Sequence, residues 1–462
     1  MALCTRVEGW RQFWLAIVMT PVGWAALVKA VSLVHASEAS LRAVPFAFGC
    51  LTLWVAHRAG RRFAGHPLGG LLALAAVAFA PLPVAYAKVL KQYTAEEFFC
   101  FLALDCAAAF AASRARRDLV WLASVLGLGL CFSNAQLFVA PPVLAALVLD
   151  ALVRREWRVV RRLTVVATAI GVWDAGYYLL LVAPRLPATT DPYWRMQEYL
   201  PVSLAAARMG WERLAWTLGP ALGHSAVIVV LVCLVAGCVQ RRQRVVATAL
   251  VLMVAELAAL SMAGLVPVSQ PRILLFLTTA LAAFGAAALG GLVVRAWTRP
   301  VLGAVATIGL ILVTREFVRA HPWRALGRSV FVEDAGPLVR LVERERRADD
   351  VVLLHAKTLF IYGYYQTALP VLVPSRGVST GYLPRLADPR VQLIDVRTLA
   401  GNAARALRPG ARAWLLASRQ RRGDELWLRS TVERFGTITR EDRRRGAFLL
   451  LLEPPPSHPP PG

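Results

Sequence analysis

Apolar residues fall in long uninterrupted runs over the first two thirds of this chain and in short clustered or alternating runs over the last third. Spanning about 30 Å of hydrocarbon takes about 20 helical residues. Runs near that length cover residues 40–58, 67–84, 96–113, 118–133, 138–153, 163–183, 222–239, 245–265, 273–294 and 300–316, which predicts ten spans. An eleventh run, 13–34, is interrupted by Pro21 and carries Lys29, so it either spans or lies in the interface. After about residue 333 the rhythm becomes that of an α/β domain. DDVVLLHA (349–356), ALPVLVP (368–374), ARAWLLAS (411–418) and RGAFLLLLE (445–453) read as strands. KTLFIYGYYQ, VRTLAGNAARAL (396–407) and GDELWLRSTVERF (423–435) read as helices. The pattern predicts an α-helical polytopic membrane domain over 1–316, a small soluble α/β domain over 317–453, and a proline-rich tail over 454–462 that does not pack.

Composition agrees with a bilayer as the main solvent. Of 462 residues 57% are hydrophobic and 17% charged, against about 25% charged in soluble domains, and the mean hydropathy is +0.54. The charge balance is strongly basic, 52 Lys and Arg against 28 Asp and Glu, which fits either a nucleic-acid surface or the inner loops of a membrane protein. Position decides between them. Arg58, Arg61 and Arg62, then Arg114, Arg116 and Arg117, then five arginines from Arg154 to Arg162, then Arg241, Arg242 and Arg244, then Arg295 and Arg299 place 16 cations in five short alternate loops. The intervening loops hold seven over a greater length. By the positive-inside rule the arginine loops are cytoplasmic, the chain is a multi-pass inner-membrane protein, and ten spans starting outside put the C-terminal domain outside. Nucleic acid drops out as a partner; membrane lipids remain. The seven cysteines lack CxxC or CxH spacing and read as small apolar residues in helices.

On this topology the polar clusters of interest fall at the outer ends of the spans. YAKVLKQYTAEEFF (86–99) leads from an outer loop into a span. Lys88 and Lys91 stand three apart and Lys88 and Gln92 four apart, so on a helix they share a face. Two ammonium groups and an amide there suit a phosphate or pyrophosphate head group, with lysine snorkelling beside anionic lipid as the plain alternative. Arg272, at the outer mouth of the span entered by VSQPRILLFL (268–277), either completes that anion site or is an ordinary boundary arginine. Ser133, Asn134 and Gln136 form a polar turn where helix capping competes with substrate contact. In TTDPYWRMQEYLP, Asp191, Tyr193, Trp194, Arg195, Glu198 and Tyr199 mix groups as sugar sites do, and an aromatic interfacial belt explains the Trp and Tyr equally well. Asp105, Asp174 and Glu256 lie within predicted spans, where an ionisable group is either functional or pairs to hold helices together. No P-loop, GxGxxG after a strand, HExxH, GxSxG or paired His/Cys set occurs, so no metal site, nucleotide or other cofactor is indicated.

Taken in order, these segments resemble the bacterial GT-C membrane glycosyltransferases of the family 39 type. ASEASLRAVP followed by the RRFAG loop and by YAKVLKQYTAEEFF resembles their "G-SE-xx-LR-xP", "R-RF-G" and "YS-x-E-x-KQY" stretches; CFSNAQLFV (131–139) and SQPRILLFL (269–277) resemble their "S-H/N-xx-xF-V" and "GR-xLLFL" segments. The likeness covers about residues 36–295. It implies a GT-C-like fold and a transferase that moves a sugar from a polyprenyl-phosphate donor, with inversion, to a cell-envelope glycan, lipid or protein acceptor on the extracytoplasmic face. Lys88, Lys91, Gln92 and Tyr93 match the KQY segment and Arg272 the arginine of the GR segment, which implies that both meet the donor phosphate. The family carries a first span and an outer loop with an Asp or Asp-Glu pair ahead of the SE segment. Here 36 residues precede the SE run and Glu8 is the sole acid before Glu38. The resemblance therefore implies a segment missing from the start, or a member that is inactive or works differently, and it names no catalytic base. Two other readings stand beside it: a transporter or flippase for lipid-linked or anionic solutes, and a non-catalytic membrane assembly protein.

Overall fold

In the computed structural model the described residues are 3–17, 20–183, 242–267, 272–296, 334–367, 369–375, 382–386, 388–395, 398–407, 411–418 and 422–454, with isolated positions between 199 and 311. The chain divides into two compact units, one of residues 19–330 and the other of 1–18 with 331–462. The helices, in chain order, are α1 (Leu3–Arg6), α2 (Gly9–Ala16), α3 (Val22–Val34), α4 (Glu38–Ala64), α5 (Pro67–Ala78), α6 (Pro81–Tyr86), α7 (Tyr93–Ser113), α8 (Arg116–Phe132), α9 (Gln136–Val153), α10 (Trp157–Tyr177), α11 (Arg244–Met262), α12 (Leu275–Ala296), α13 (Gly336–Glu345), α14 (Leu359–Tyr365), α15 (Leu399–Ala406) and α16 (Arg422–Val432).

The first unit is helical. Among its described residues five helices are long and apolar enough to cross a membrane: Glu38–Ala64, Gln136–Val153, Trp157–Leu181, Arg244–Met262 and Leu275–Val294. The predicted spans 96–113 and 118–133 correspond to α7 and α8, whereas 222–239 and 300–316 lie outside the described residues but for isolated positions. Proline redraws two expected runs. The run 13–34 is not one helix, because α2 ends at Ala16 and Pro21 caps the start of α3. The run 67–84 divides at Pro81, where a proline lacking its N–H ends α5 and opens α6. Local chemistry sets other ends: Ser37 and Ser40 form a reciprocal capping box at the start of α4, and Gly65 closes it in the left-handed region at φ 76°.

Small residues let α4, α5 and α12 approach closely. A Cβ on Gly60 would stand 2.5 Å from the Ala73 Cβ and one on Gly69 closer still to the Ala64 Cβ, so a side chain at either would force α4 and α5 apart, and one on Gly290 would press at 3.0 Å on the Gly69 Cα. The arginine-bearing ends are tied by buried carboxylates. Asp105 of α7 pairs with Arg58 and Arg62 of α4, each at 2.5 Å. Asp150 of α9, fully buried, takes Arg114, Arg154 at 2.9 Å and Arg244 at 2.5 Å, joining the ends of α7, α9 and α11.

The second unit is built on a sheet. Strands β1 (Val351–His355), β4 (Val391–Ile394), β5 (Ala413–Ser418), β6 (Thr437–Arg444) and β7 (Ala447–Glu453) order as β4-β1-β5-β7-β6, and β2 (Val371–Pro374) pairs with β3 (Tyr382–Arg385) in a separate hairpin. β1 runs parallel to β4 and β5, while β7 is antiparallel to β5 and β6. The continuous apolar runs of β1, β5 and β7 are explained by burial on both faces. On one face Val352, Leu354, Trp414 and Leu416 pack against Leu338 and Val339 of α13 and Leu359 and Tyr362 of α14. On the other, Leu353, Leu415 and Leu450 pack against α15 and α16 through Leu399, Ala403, Leu428 and Val432. The sequence pattern does not foresee β4 or β6, because both are edge strands and β6 (TITREDRR) is largely solvated.

The N-terminal helices belong to this second unit. Arg6 donates to the carbonyls of Tyr364 at 2.5 Å and Gln366 at 3.0 Å, which satisfies the C-terminal end of α14. Gln12 pairs with the backbone of β2, accepting from Leu372 N–H at 2.6 Å and donating to its carbonyl at 3.3 Å.

Candidate functional site

The segment from α6 into α7 carries a run of polar side chains at the end of the helical unit opposite the arginines. Residues 87–92 form consecutive turns rather than a helix, so Lys88, Lys91 and Gln92 do not share a helical face. α6 is only six residues long after Pro81 and Pro83, and its helical hydrogen bonding gives way to short turns, Val89 N–H to Tyr86 at 3.0 Å and Lys91 N–H to Val89 at 2.6 Å. Lys88 is half-buried there and Lys91 exposed.

Tyr86 is the residue that links this turn to Arg272. Its buried ring meets the Tyr93 ring edge-on at 4.8 Å, and its phenol lies within electrostatic reach of the Arg272 guanidinium. The packing of α7 on α12 accounts for the meeting, since Tyr93 opens α7 and Arg272 stands three residues before α12. Tyr93 and Arg272, singled out separately in the sequence, thus share one neighbour, and Lys88 and Lys91 lie in the turn between Tyr86 and Tyr93.

Two carboxylates sit immediately beneath. Glu96 is buried and hydrogen-bonds to the Gln92 side chain. Glu97, 1% exposed, accepts a 2.7 Å hydrogen bond from Thr279 of α12. The pair therefore ties the KQY turn and α12 to the same stretch of α7, through an amide and a hydroxyl rather than a cation. Glu96 and Glu97 are not among the residues that spacing and charge singled out; the signal available in the sequence is two adjacent acids one turn inside an apolar run.

The other sequence candidates part company. Ser133 ends α8 and Gln136 opens α9, and neither side chain caps a helix: the Ser133 hydroxyl and both amide atoms of Gln136 are buried without a hydrogen-bond partner among the described residues. Gln136 packs into the space over Gly129, its Cδ 2.9 Å from where a Cβ would be. Asp105 is an ion-pair anchor. One oxygen each of Asp174 and Glu256 is buried without a partner among the described residues. Asp191, Tyr193, Trp194, Arg195 and Glu198 lie outside the described residues. Among the described residues no three His, Cys, Asp or Glu side chains converge as metal ligands.

The helices long and apolar enough to cross a membrane and the small sheet-containing C-terminal unit have the GT-C type of fold. The chain is similar to the crystal structure of ArnT from Cupriavidus metallidurans in the apo state, with a TM-score of 0.54 and 15% identity over 97% of this chain and 92% of that one. It is similar also to the same protein bound to undecaprenyl phosphate, with a TM-score of 0.53 and 15% identity over 97% of this chain and 95% of that one. No family model and no curated protein sequence matches.

Proposed function

We propose that this protein is a membrane glycosyltransferase that takes a sugar from a polyprenyl-phosphate donor and passes it to a cell-envelope acceptor on the extracytoplasmic face. The observation that carries the reading is the meeting of Tyr86, Tyr93 and Arg272 beside Lys88 and Lys91, in a fold whose neighbour was crystallised with undecaprenyl phosphate. Arg272 offers planar donors to phosphate oxygens, Lys88 and Lys91 offer point charges, and Gln92 and Tyr93 offer neutral hydrogen bonds. In the transfer an acceptor hydroxyl oxygen attacks the anomeric carbon, the bond from that carbon to the phosphate oxygen breaks, and the lipid phosphate leaves with the electron pair. Cations held in place before the reaction stabilise that departing charge. The hydroxyl proton needs a carboxylate; Glu96 and Glu97 are the buried carboxylates beside the cation-bearing turn, and we assign the proton-accepting role to this pair.

The test is transfer of radiolabelled sugar from polyprenyl phosphate by purified protein. Wild-type protein transfers, Lys88→Ala and Arg272→Ala fall by at least tenfold, and Glu96→Gln or Glu97→Gln falls further. Wild-type activity in both cation variants would overturn the donor-site assignment, and full activity in both Gln variants would overturn the role given to the acids.

A further inference from the structure

The arginines around the starts of α8 and α10 divide into two groups. Arg114 and Arg154 are held by carboxylates: both reach buried Asp150, and Arg114 also reaches Glu156 at 2.9 Å. Arg116 and Arg117 of α8 and Arg158, Arg161 and Arg162 of α10 are exposed, and their guanidinium groups have no ion pair, hydrogen bond or ring contact among the described residues. Arg155, in the turn before α10, is a sixth of the same kind. Asp118, the remaining acid between residues 113 and 163, accepts from the Ser113 hydroxyl and sets one negative charge against those six.

The two helix starts stand side by side. Arg114, two residues before α8, meets Glu156, which immediately precedes α10. Further along, the Trp173 indole of α10 donates to the Gly127 carbonyl of α8 at 3.0 Å, and Gly127 also faces Ile170. The helices therefore run together in the same direction, although α9 separates them in sequence. On each, the arginines lead into an exposed apolar stripe. Arg158, Arg161 and Arg162 stand three and four apart and share a face of α10, which Val165 and Val172 continue. On α8, Val120 and Trp121 follow Arg116 and Arg117 by one helical turn, and Leu128 follows Trp121 by two. Exposed Trp157 opens α10, as tryptophan does where hydrocarbon meets head groups.

Charge and shape together select the occupant. Six guanidinium groups against one carboxylate attract an anion, and their forked N–H donors match phosphate oxygens. A soluble phosphate would use the arginines and leave both apolar stripes idle. A single polyprenyl chain would use one stripe. A diacyl phospholipid with an anionic head group uses the cations and both stripes, and basic sites between membrane helices hold such lipids.

We propose that the paired face of α8 and α10 binds an anionic diacyl phospholipid, with its phosphate on the arginines and its chains along Val120 and Leu128 on one helix and Val165 and Val172 on the other. The proposal stands apart from the transferase reading, whose cations lie at the opposite end of the helical unit. The test is native mass spectrometry of the full-length protein in neutral detergent, titrated with phosphatidylglycerol, diphosphatidylglycerol, phosphatidylcholine, undecaprenyl phosphate and inorganic phosphate. Wild-type protein retains phosphatidylglycerol or diphosphatidylglycerol saturably and at least tenfold more tightly than phosphatidylcholine. Replacing Arg161 and Arg162 together by Gln, or Arg116 and Arg117 together by Gln, weakens that retention at least tenfold, with the unfolding midpoint in lipid-free detergent unchanged. Val165→Ala weakens it less, and Arg61→Gln, which removes an exposed arginine from the same end of α4, leaves it unchanged. Equal retention of phosphatidylcholine, an equal loss in Arg61→Gln, displacement by inorganic phosphate, or tighter retention of undecaprenyl phosphate than of either phospholipid would each overturn the proposal. Sugar transfer is expected at the wild-type level in both double variants, so failure of either reading leaves the other standing.

Discussion

The two ends of the helical unit treat charge in opposite ways. At one, five arginines close on two buried aspartates, Arg58 and Arg62 on Asp105 and Arg114, Arg154 and Arg244 on Asp150. At the other, the buried acids Glu96 and Glu97 are held by an amide and a hydroxyl, while Arg272 reaches a tyrosine. Both ends are polar, and both break the apolar pattern of the spans. The difference lies in what the charges neutralise. A guanidinium locked on a buried carboxylate is committed to position, and such pairs join α4 to α7 and the ends of α7, α9 and α11. Glu96 and Glu97 are held instead through neutral hydrogen bonds, which fix Gln92 and Thr279 without locking a guanidinium.

The largest effect that separates the two ends is structural. Asp150→Ala leaves three arginines around an empty centre and is expected to cost about 3–5 kcal/mol, the usual penalty for breaking a buried ion pair by removing one partner. Unfolding of the purified protein in detergent measures it, and a loss below about 1 kcal/mol would mean that the cluster is solvated and holds nothing. Next in size is a purely functional loss: Arg272→Ala lowers sugar transfer by about 100- to 1000-fold, as removal of one preorganised stabilising group does, with an unchanged unfolding midpoint. Exposed Lys91 contributes less than half-buried Lys88, so Lys91→Ala falls by a smaller factor than Lys88→Ala.

The C-terminal unit has its own version of the locked charge. Asp350 is buried, which alone would raise its pKa, but hydrogen bonds from Arg412 at 2.7 Å, from the Arg347 N–H at 2.9 Å and from the Trp414 indole at 2.9 Å outweigh that and set it below the usual carboxylate value. A carboxylate depressed in the folded state stabilises fully above its unfolded pKa, about 3.9, and loses that contribution as pH falls through and below it. Stability followed by near-UV circular dichroism should therefore fall as the pH is lowered through and below about 4, and Asp350→Asn should flatten that acid limb; an identical limb in the variant would refute the role. The smallest effect concerns Gln136. A buried amide without partners contributes no net hydrogen bond, so Gln136→Leu is expected to change stability by about 1 kcal/mol or less, in either direction, and a loss above about 2 kcal/mol would show that the amide is satisfied in the folded protein.

How much of this was legible in the sequence depends on whether the signal was local. The spans, the strands β1, β5 and β7 and the helices α14 to α16 follow continuous apolar runs or periodicity and were legible, whereas α13 (Gly336–Glu345) was not read. The interruption at Pro21 was read from the sequence, whereas the break of the run 67–84 at Pro81 is a local signal that run length alone conceals. The shared helical face of Lys88, Lys91 and Gln92 failed because the intervening residues turn instead of coiling. The approach of Arg272 to Tyr86, the Thr279 bond to Glu97 and the clasp of Gln12 on β2 join residues 182 to 360 positions apart in the case of the two hydrogen bonds, and no spacing rule reaches that far. Asp105 read as either functional or paired to hold helices together because a charge in a span is costly; its partners, two arginines of another helix, are fixed only in three dimensions.

Direct binding of radiolabelled undecaprenyl phosphate to the purified full-length protein tests the central contrast without relying on turnover. Saturable binding is expected, weakened at least tenfold by Arg272→Ala and by Lys88→Ala and left at the wild-type value by Arg62→Ala at the opposite end. Equal affinity in all three variants, or loss in Arg62→Ala alone, would contradict it.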